Sequence, residues 1–367
     1  MTTARVPFLA LTPGEDASEV RAAIDRVIAR GWFVLGPEGE AFEEEFARAS
    51  GAAHAVGTGN GTDAIALILR AIGIAPGDEV IVPAMTAAYT ALAVTMVGAR
   101  PVFADVEPGT LTLDPESCRV RLTRRTRAII AVHLYGQAAD LPALSAIARE
   151  AGVALVEDCC QAHLATCQGR PVGTTGVAGA FSFYPTKNLG ALGDGGAVVT
   201  DDADLAARVR RLRNGGQVSR YDHQEAGINS RLDELQAAVL RVRLARLPAW
   251  TARRRELAAR YRAALDGSAA APVPQRDAGH VYHLFPVRHR LRDQLRATLD
   301  AAGIETLIHY PVPLHAQGAF AHCDPAPCPE AARAAAELLS LPLHPELDAG
   351  AVDRVAAAVV AAAGVRA

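Results

Sequence analysis

Short apolar runs alternate with longer helix-period stretches along most of this chain, and that alternation limits the folds open to it. Val80–Val82, Pro101–Ala104, Ala128–His133 and Val153–Glu157 read as buried strands. Helical patterns such as Leu141–Glu150 lie between them. Strand–helix repetition at this spacing predicts an α/β fold with a mostly parallel sheet and helices on both faces. Phe181–Tyr184 and Ala197–Thr200 read as two further strands that could pair antiparallel. An Arg-rich helical region runs from Arg231 to about Leu265, with a break expected near Pro248. After a small-residue hinge at 267–274, a strand at Tyr282–Arg288, a helix at Arg292–Ala302, a strand at Ile304–Ile308 and an Ala-rich terminal helix predict a smaller α/β unit. The expected division is a large domain over 1–250 and a small C-terminal domain over 251–367. A length of 367 residues suits two domains.

Composition narrows the class of function. The net charge is −3, so no basic excess is available to neutralise a nucleic-acid backbone, and no nucleic-acid partner is expected. Val80 to Ala99 is twenty residues without a charge, but Pro83, Gly98 and three Thr make it read as strand, turn and buried helix rather than a membrane span. The opening Met1–Ala10 lacks the long apolar core of a secretory signal, so a cytoplasmic protein away from membranes is expected. The six cysteines are accordingly expected as free thiols. Cys159, Cys160, His163 and Cys167 do not have zinc-knuckle spacing, and the His322, Cys323, Cys328 group lies in a Pro-rich loop. No metal site is expected.

One count stands out: of 37 basic residues, only Lys187 is lysine. An amine can lose its proton and form a Schiff base, whereas a guanidinium cannot. Lys187 sits in Phe181-Ser182-Phe183-Tyr184-Pro185-Thr186-Lys187-Asn188-Leu189-Gly190, a loop between two strands. Upstream, Val56-Gly57-Thr58-Gly59-Asn60-Gly61-Thr62-Asp63 reads as a Gly-rich loop that opens a helix, with Thr62 as a plausible cap and free N–H groups suited to phosphate. A dinucleotide-binding turn would need its third glycine where Thr62 stands, and Asp78 and Glu79 precede their strand rather than follow it, which disfavours a nicotinamide enzyme. The strand Ala154–Glu157 delivers Glu157 and Asp158 at its end, on alternating faces. A buried acid there, a phosphate loop and a lone loop lysine together suggest pyridoxal 5′-phosphate (PLP).

The strings GNGTDAIAL, PGDEVIVP, AVHLYGQ, VEDCCQAH, FSFYPTKNLGALGDGGAVV, INSRLDELQAAVL and IHYPVP carry a resemblance that covers about residues 32–345. The chain resembles the nucleotide-sugar aminotransferase family (DegT-like), aspartate-aminotransferase-like PLP enzymes of fold type I. Within it, the chain most resembles enzymes that aminate C-3 of a nucleotide-linked 3-keto-6-deoxyhexose such as a dTDP sugar. The resemblance implies that Lys187 carries PLP as a Schiff base and that Asp158 holds the pyridine nitrogen protonated. It implies that Gln161 meets the ring hydroxyl, and that Gly61, Thr62, Asp63 (through its backbone N–H) and Ser182 hold the phosphate. Asn229 and Arg231 would reach a partner's phosphate across a homodimer interface. Phe33, with its loop to Gly36, and His163, Tyr184, His309 and Tyr310 would line the sugar site. Glutamate is the implied amino donor. Many relatives place an aromatic ring where Ala87 stands, with Tyr89 two residues on, so the cover of that ring face is open. A 4-keto sugar or a cyclitol ketone is the alternative substrate. PLP-dependent sugar dehydratases of this fold carry His in place of the lysine, and Lys187 argues against them. A non-catalytic PLP-binding regulator lacks support, because no helix-turn-helix or basic segment is visible.

Overall fold

The computed structural model describes residues 5–323 and 325–364, so the first four residues of the opening segment lie outside it. The elements in chain order begin with helices α1 (Ala17–Arg30) and α2 (Pro37–Ser50). Strand β1 (His54–Thr58) and α3 (Gly61–Ala71) follow, then β2 (Glu79–Pro83), α4 (Ala88–Met96), β3 (Arg100–Ala104) and α5 (Pro115–Val120). Next come β4 (Thr126–Val132), α6 (Leu141–Ala151), β5 (Ala154–Asp158) and a small hairpin of β6 (Thr166–Cys167) and β7 (Arg170–Pro171). Strands β8 (Ala178–Ser182) and β9 (Gly196–Thr200) precede α7 (Ala203–Leu212) and a second hairpin, β10 (Gln217–Ser219) with β11 (Asp222–His223). The long α8 (Glu234–Ala264) leads to β12 (Ala271–Pro272), β13 (Phe285–Arg288), α9 (Arg292–Ala301), α10 (Pro329–Glu337), β14 (Leu338–Leu341) and α11 (Ala349–Ala363).

Seven strands form the main sheet in the order β1-β9-β8-β5-β4-β2-β3. The neighbours from β8 to β3 pair in parallel, while β9 runs antiparallel to both β8 and β1. Successive side chains leave a strand on opposite faces, so one strand feeds two cores. Val80, Val82, Ile130 and Val156 pack with α3 and α4 on one side. Ile81, Ile129, Leu155 and Val199 pack with α2, α6 and the first half of α8 on the other. A third cluster joins Leu257 and Tyr261 of α8 to Phe285, Leu339, Leu341 and Val355 around the three-stranded sheet β12-β13-β14.

Several expectations need correction. Helix α8 continues through Pro248 without a break. Proline there removes one backbone hydrogen bond, but Leu244 and Leu247 before it and Thr251, Arg254 and Leu257 after it are buried, and this packing holds both halves in line. The strand expected at Phe181–Tyr184 is β8, three residues earlier. Its small residues suit a close approach, since a Cβ on Gly179 would lie 2.5 Å from the Gly173 backbone. Ile304–Ile308 makes only isolated bridges, Val6 with Ile304 and Leu307 with Ser340. The expected strand at Tyr282–Arg288 is shorter, Phe285–Arg288. The Ala-rich terminal region is two helices with β14 between them, and β1 was hidden in a run read as loop. Among the described residues, no helix is long and apolar enough to cross a membrane.

Gly196 opens β9 directly against the turn before α3: a Cβ there would lie 2.4 Å from the Asn60 backbone. We expect Gly196→Ala to destabilise the fold by about 1–3 kcal/mol, because the clash is with main chain. Chemical denaturation of the variant beside the parent checks this.

Candidate active site

In an open α/β sheet, ligands collect beyond the carboxyl ends of the strands. Asp158 is the last residue of β5 and is buried. Its Oδ2 accepts a 2.7 Å hydrogen bond from the Thr90 hydroxyl of α4, and its Oδ1 accepts the Cys160 N–H at 3.1 Å. The preceding acid, Glu157, points the other way. Its two oxygens accept from Gly173, Thr175 and Gly176 backbone N–H groups at 2.7–2.8 Å and lie 2.9 Å from His133 Nε2. Glu157, His133 and Cys159 are close enough to suggest a metal cluster, but the carboxylate is filled by these partners. It is a clamp for the 173–176 loop. All six cysteines are free thiols.

Lys187 lies in the loop that follows β8, half-buried, with its amine near Asp158 and Cys160. Burial lowers its pKa from the usual value, and the Cys160 thiol and Asp158 carboxylate pull it partly back. A neutral, nucleophilic amine is therefore easier to reach here than on a surface lysine.

The start of α3 forms a cup beside it. The helix is capped by Asn60, not by Thr62: Asn60 Oδ1 accepts the Asp63 N–H at 2.8 Å. Asn60 precedes the first helical residue, as a cap must, and Thr62 already lies inside the helix. The N–H groups of Gly61 and Thr62 have no intrahelical partner and remain for a ligand. A Cβ on Gly61 would lie 2.7 Å from Cys160 Sγ and 2.8 Å from Ser182 Cβ, so glycine lets β8 and α3 converge. The Asp63 carboxylate is held by Ser230 Oγ at 2.7 Å and Asn60 Nδ2 at 3.0 Å. Two bare N–H groups at a helix start, the Ser182 hydroxyl, a buried carboxylate and the tuned amine are the donor set PLP requires, and the residues present fit it.

Gln161 links the site to the C-terminal part of the chain. Its Oε1 accepts the Tyr135 N–H at 2.7 Å, and its Nε2 donates to Tyr310 Oη at 2.9 Å. Tyr135, at φ 61°, donates its hydroxyl to the His309 carbonyl. His309 lies 2.9 Å from Ser340 Oγ through Nδ1, and burial lowers its pKa to about 4. His163 lies behind the site and is fully buried. Its Nε2 donates to the Ser182 carbonyl at 2.9 Å, and its ring packs near Phe181 and Phe183. Tyr184 is exposed. Ala87 is the N-cap residue of α4, and Tyr89 is exposed.

The remaining residues form a second group. Arg231 donates to Asn214 Oδ1 at 2.8 Å, Asn229 bridges to Asn214, and Ser230 Oγ accepts the Gly59 N–H at 2.9 Å. This stretch lies against the Gly59–Asp63 loop. Phe33 is exposed in a loop tied down by buried Glu234, whose carboxylate accepts the Gly36, Glu38 and Gly39 N–H groups at 2.7–3.0 Å. Sequence reasoning missed Thr90, Glu234 and Tyr135. The Asn60 cap was legible, being an Asx immediately before a helical run.

Fold and site together define a PLP-dependent aminotransferase. Residues 15–360 match the model of the DegT/DnrJ/EryC1/StrS aminotransferase family, and the chain belongs to that family. It is 50% identical over 363 residues to the dTDP-3-amino-3,4,6-trideoxy-alpha-D-glucose transaminase of Streptomyces venezuelae, covering 97% of this chain and 96% of the relative. It is also 50% identical to the erythromycin biosynthesis sensory transduction protein EryC1 of Saccharopolyspora erythraea, covering 98% and 100%. The crystal structure of S. venezuelae DesV in complex with a ketimine intermediate superposes with a TM-score of 0.95 at 49% identity, covering 97% of this chain and 98% of that one.

His163 carries a pH signature. Burial lowers its pKa from 6.5 to about 3. The unfolded chain therefore binds a proton near pH 6.5 that the folded protein refuses. Stability is full above that pH and is lost as pH falls towards 3, at up to about 1.4 kcal/mol per pH unit for this group. We expect His163→Gln to flatten that slope, measured by urea unfolding between pH 7 and pH 5.

Proposed function

We propose that this enzyme transfers an amino group from glutamate to C-3 of a dTDP-linked 3-keto-6-deoxyhexose. The observation that carries the reading is the half-identity, over nearly the whole chain, to a transaminase named for a dTDP-3-amino sugar. The site chemistry supports it. When bound, PLP supplies an electrophilic carbon for amines and a protonated ring that withdraws electrons. Lys187 is the residue that would hold it covalently, and its amine, when free, would take the Cα proton of the donor as base and give it up as acid. Asp158, oriented by Thr90 and Cys160, would keep a proton on the ring nitrogen. Gln161, held by Tyr135 and Tyr310, would meet the ring hydroxyl. Gly61, Thr62 and Ser182 would hold the phosphate; Asp63, expected to add its backbone N–H, gives it to the Asn60 cap instead.

The sugar contacts are Phe33, Tyr184, His309 and Tyr310, with His163 acting from behind Ser182. Two active sites form at a homodimer interface, where Asn229 and Arg231 reach the partner's phosphate, and the enzyme works in the cytoplasm. The chain divides into domains over 1–250 and 251–367, with α8 crossing from one to the other.

Two experiments test these assignments. Incubation with glutamate and the dTDP-3-keto sugar is expected to give the amino sugar and 2-oxoglutarate, read by mass spectrometry. Preference for a 4-keto sugar contradicts the C-3 assignment. Asp158→Asn is expected to slow transamination by about 10²–10³-fold while Lys187 still binds PLP, read by single-turnover kinetics.

A further inference from the structure

A cavity of about 480 Å³ lies on the α8 side of the Lys187–Asn188 loop, between the chain near residues 9–16, α8 and the loop around His344. Its charges are unevenly compensated. Arg243 is paired with Asp16 at 2.8 Å, and Arg253 with Glu256 at 2.8 Å. Among the described residues, Arg254 has no carboxylate partner. It is 5% exposed and donates only through Nη1, to the Leu343 and Tyr282 carbonyls at 2.8 and 3.2 Å. Burial lowers its pKa to about 10, so it stays charged at neutral pH. A buried, unpaired cation is costly unless an anion joins it. His344, beside it in the cavity wall, is 6% exposed; its imidazole lies near the Pro7 carbonyl, and neither ring nitrogen makes a well-formed hydrogen bond. A neutral imidazole there can donate one N–H to an incoming carboxylate. At the rim, exposed Glu346 has no ion-pair partner among the described residues and can meet an ammonium group.

We propose that this cavity binds a free α-amino acid, its carboxylate on Arg254 and His344 and its ammonium towards Glu346, as a docking site for the amino donor next to the lysine loop. The inference rests on the transaminase reading and adds a donor-recognition site to it. Trp250 also lines the cavity, its indole N–H bonded to Glu15 Oε1 at 2.8 Å, and the chain has only one other tryptophan, Trp32.

The test uses Trp32→Phe holoenzyme, so that fluorescence reports Trp250. L-Glutamate and glutarate are titrated, glutarate being a dicarboxylate that has no amine to react with PLP. The expected result is a saturable signal with both probes, at least tenfold weaker after Arg254→Gln. Glu346→Gln, at an exposed position that leaves the fold intact, is expected to weaken L-glutamate and leave glutarate unchanged. No signal with glutarate, or one indifferent to Arg254→Gln in a folded variant, overturns the site. An equal effect of Glu346→Gln on both probes overturns the ammonium assignment. An enzyme that transaminates without the Trp250 signal refutes this inference alone. Glutarate binding without amino transfer refutes the transaminase reading alone.

Discussion

The carboxylate of Asp158 at the end of β5 is the fixed point of this structure. It is buried at the carboxyl end of the central strand, where an unpaired charge is expensive. Two neighbours make it tenable, the Thr90 hydroxyl from α4 and the Cys160 N–H from the turn that follows the strand. Those contacts set the position of α4 against β5. The same turn brings Cys160 against Gly61, which fixes the start of α3. The amine of Lys187 then enters a space whose charge and solvation Asp158 and Cys160 already control.

The adjacent acid shows how the strand alternation separates two roles. Glu157 and Asp158 are neighbours in sequence and leave β5 on opposite sides. Glu157 is saturated by three backbone N–H groups and a histidine, and it shapes the loop before β8. Asp158 keeps capacity on the ligand side. Gln161 extends the arrangement, since its single carboxamide joins Tyr135, in the turn after β4, to Tyr310 near the small sheet. The site is thus tied to both sheets by side chains from one turn.

Much of this was legible in the sequence. The strand–helix alternation placed β2 to β5 within two residues, because buried parallel strands are continuous apolar runs. Lys187 stood out chemically, since no arginine can replace it as a nucleophile. Other features were opaque for physical reasons. Strands β1 and β8 hold glycine and alanine where backbones approach closely, so β1 resembled a loop and β8 was expected three residues too late. Pro248 signalled a break that packing on both sides overrides. Thr90 and Glu234 act through neighbours 68 and 196 residues away, which no local pattern encodes.

The central claim is that Lys187 holds PLP covalently, and borohydride reduction followed by peptide mapping tests it most directly. The account predicts one modified peptide, 181–190, carrying the reduced cofactor on Lys187, together with loss of the visible absorption band. It also predicts neither mark in Lys187→Arg. Cofactor trapped at another position, or an unmodified chain that takes up no PLP, would contradict the account.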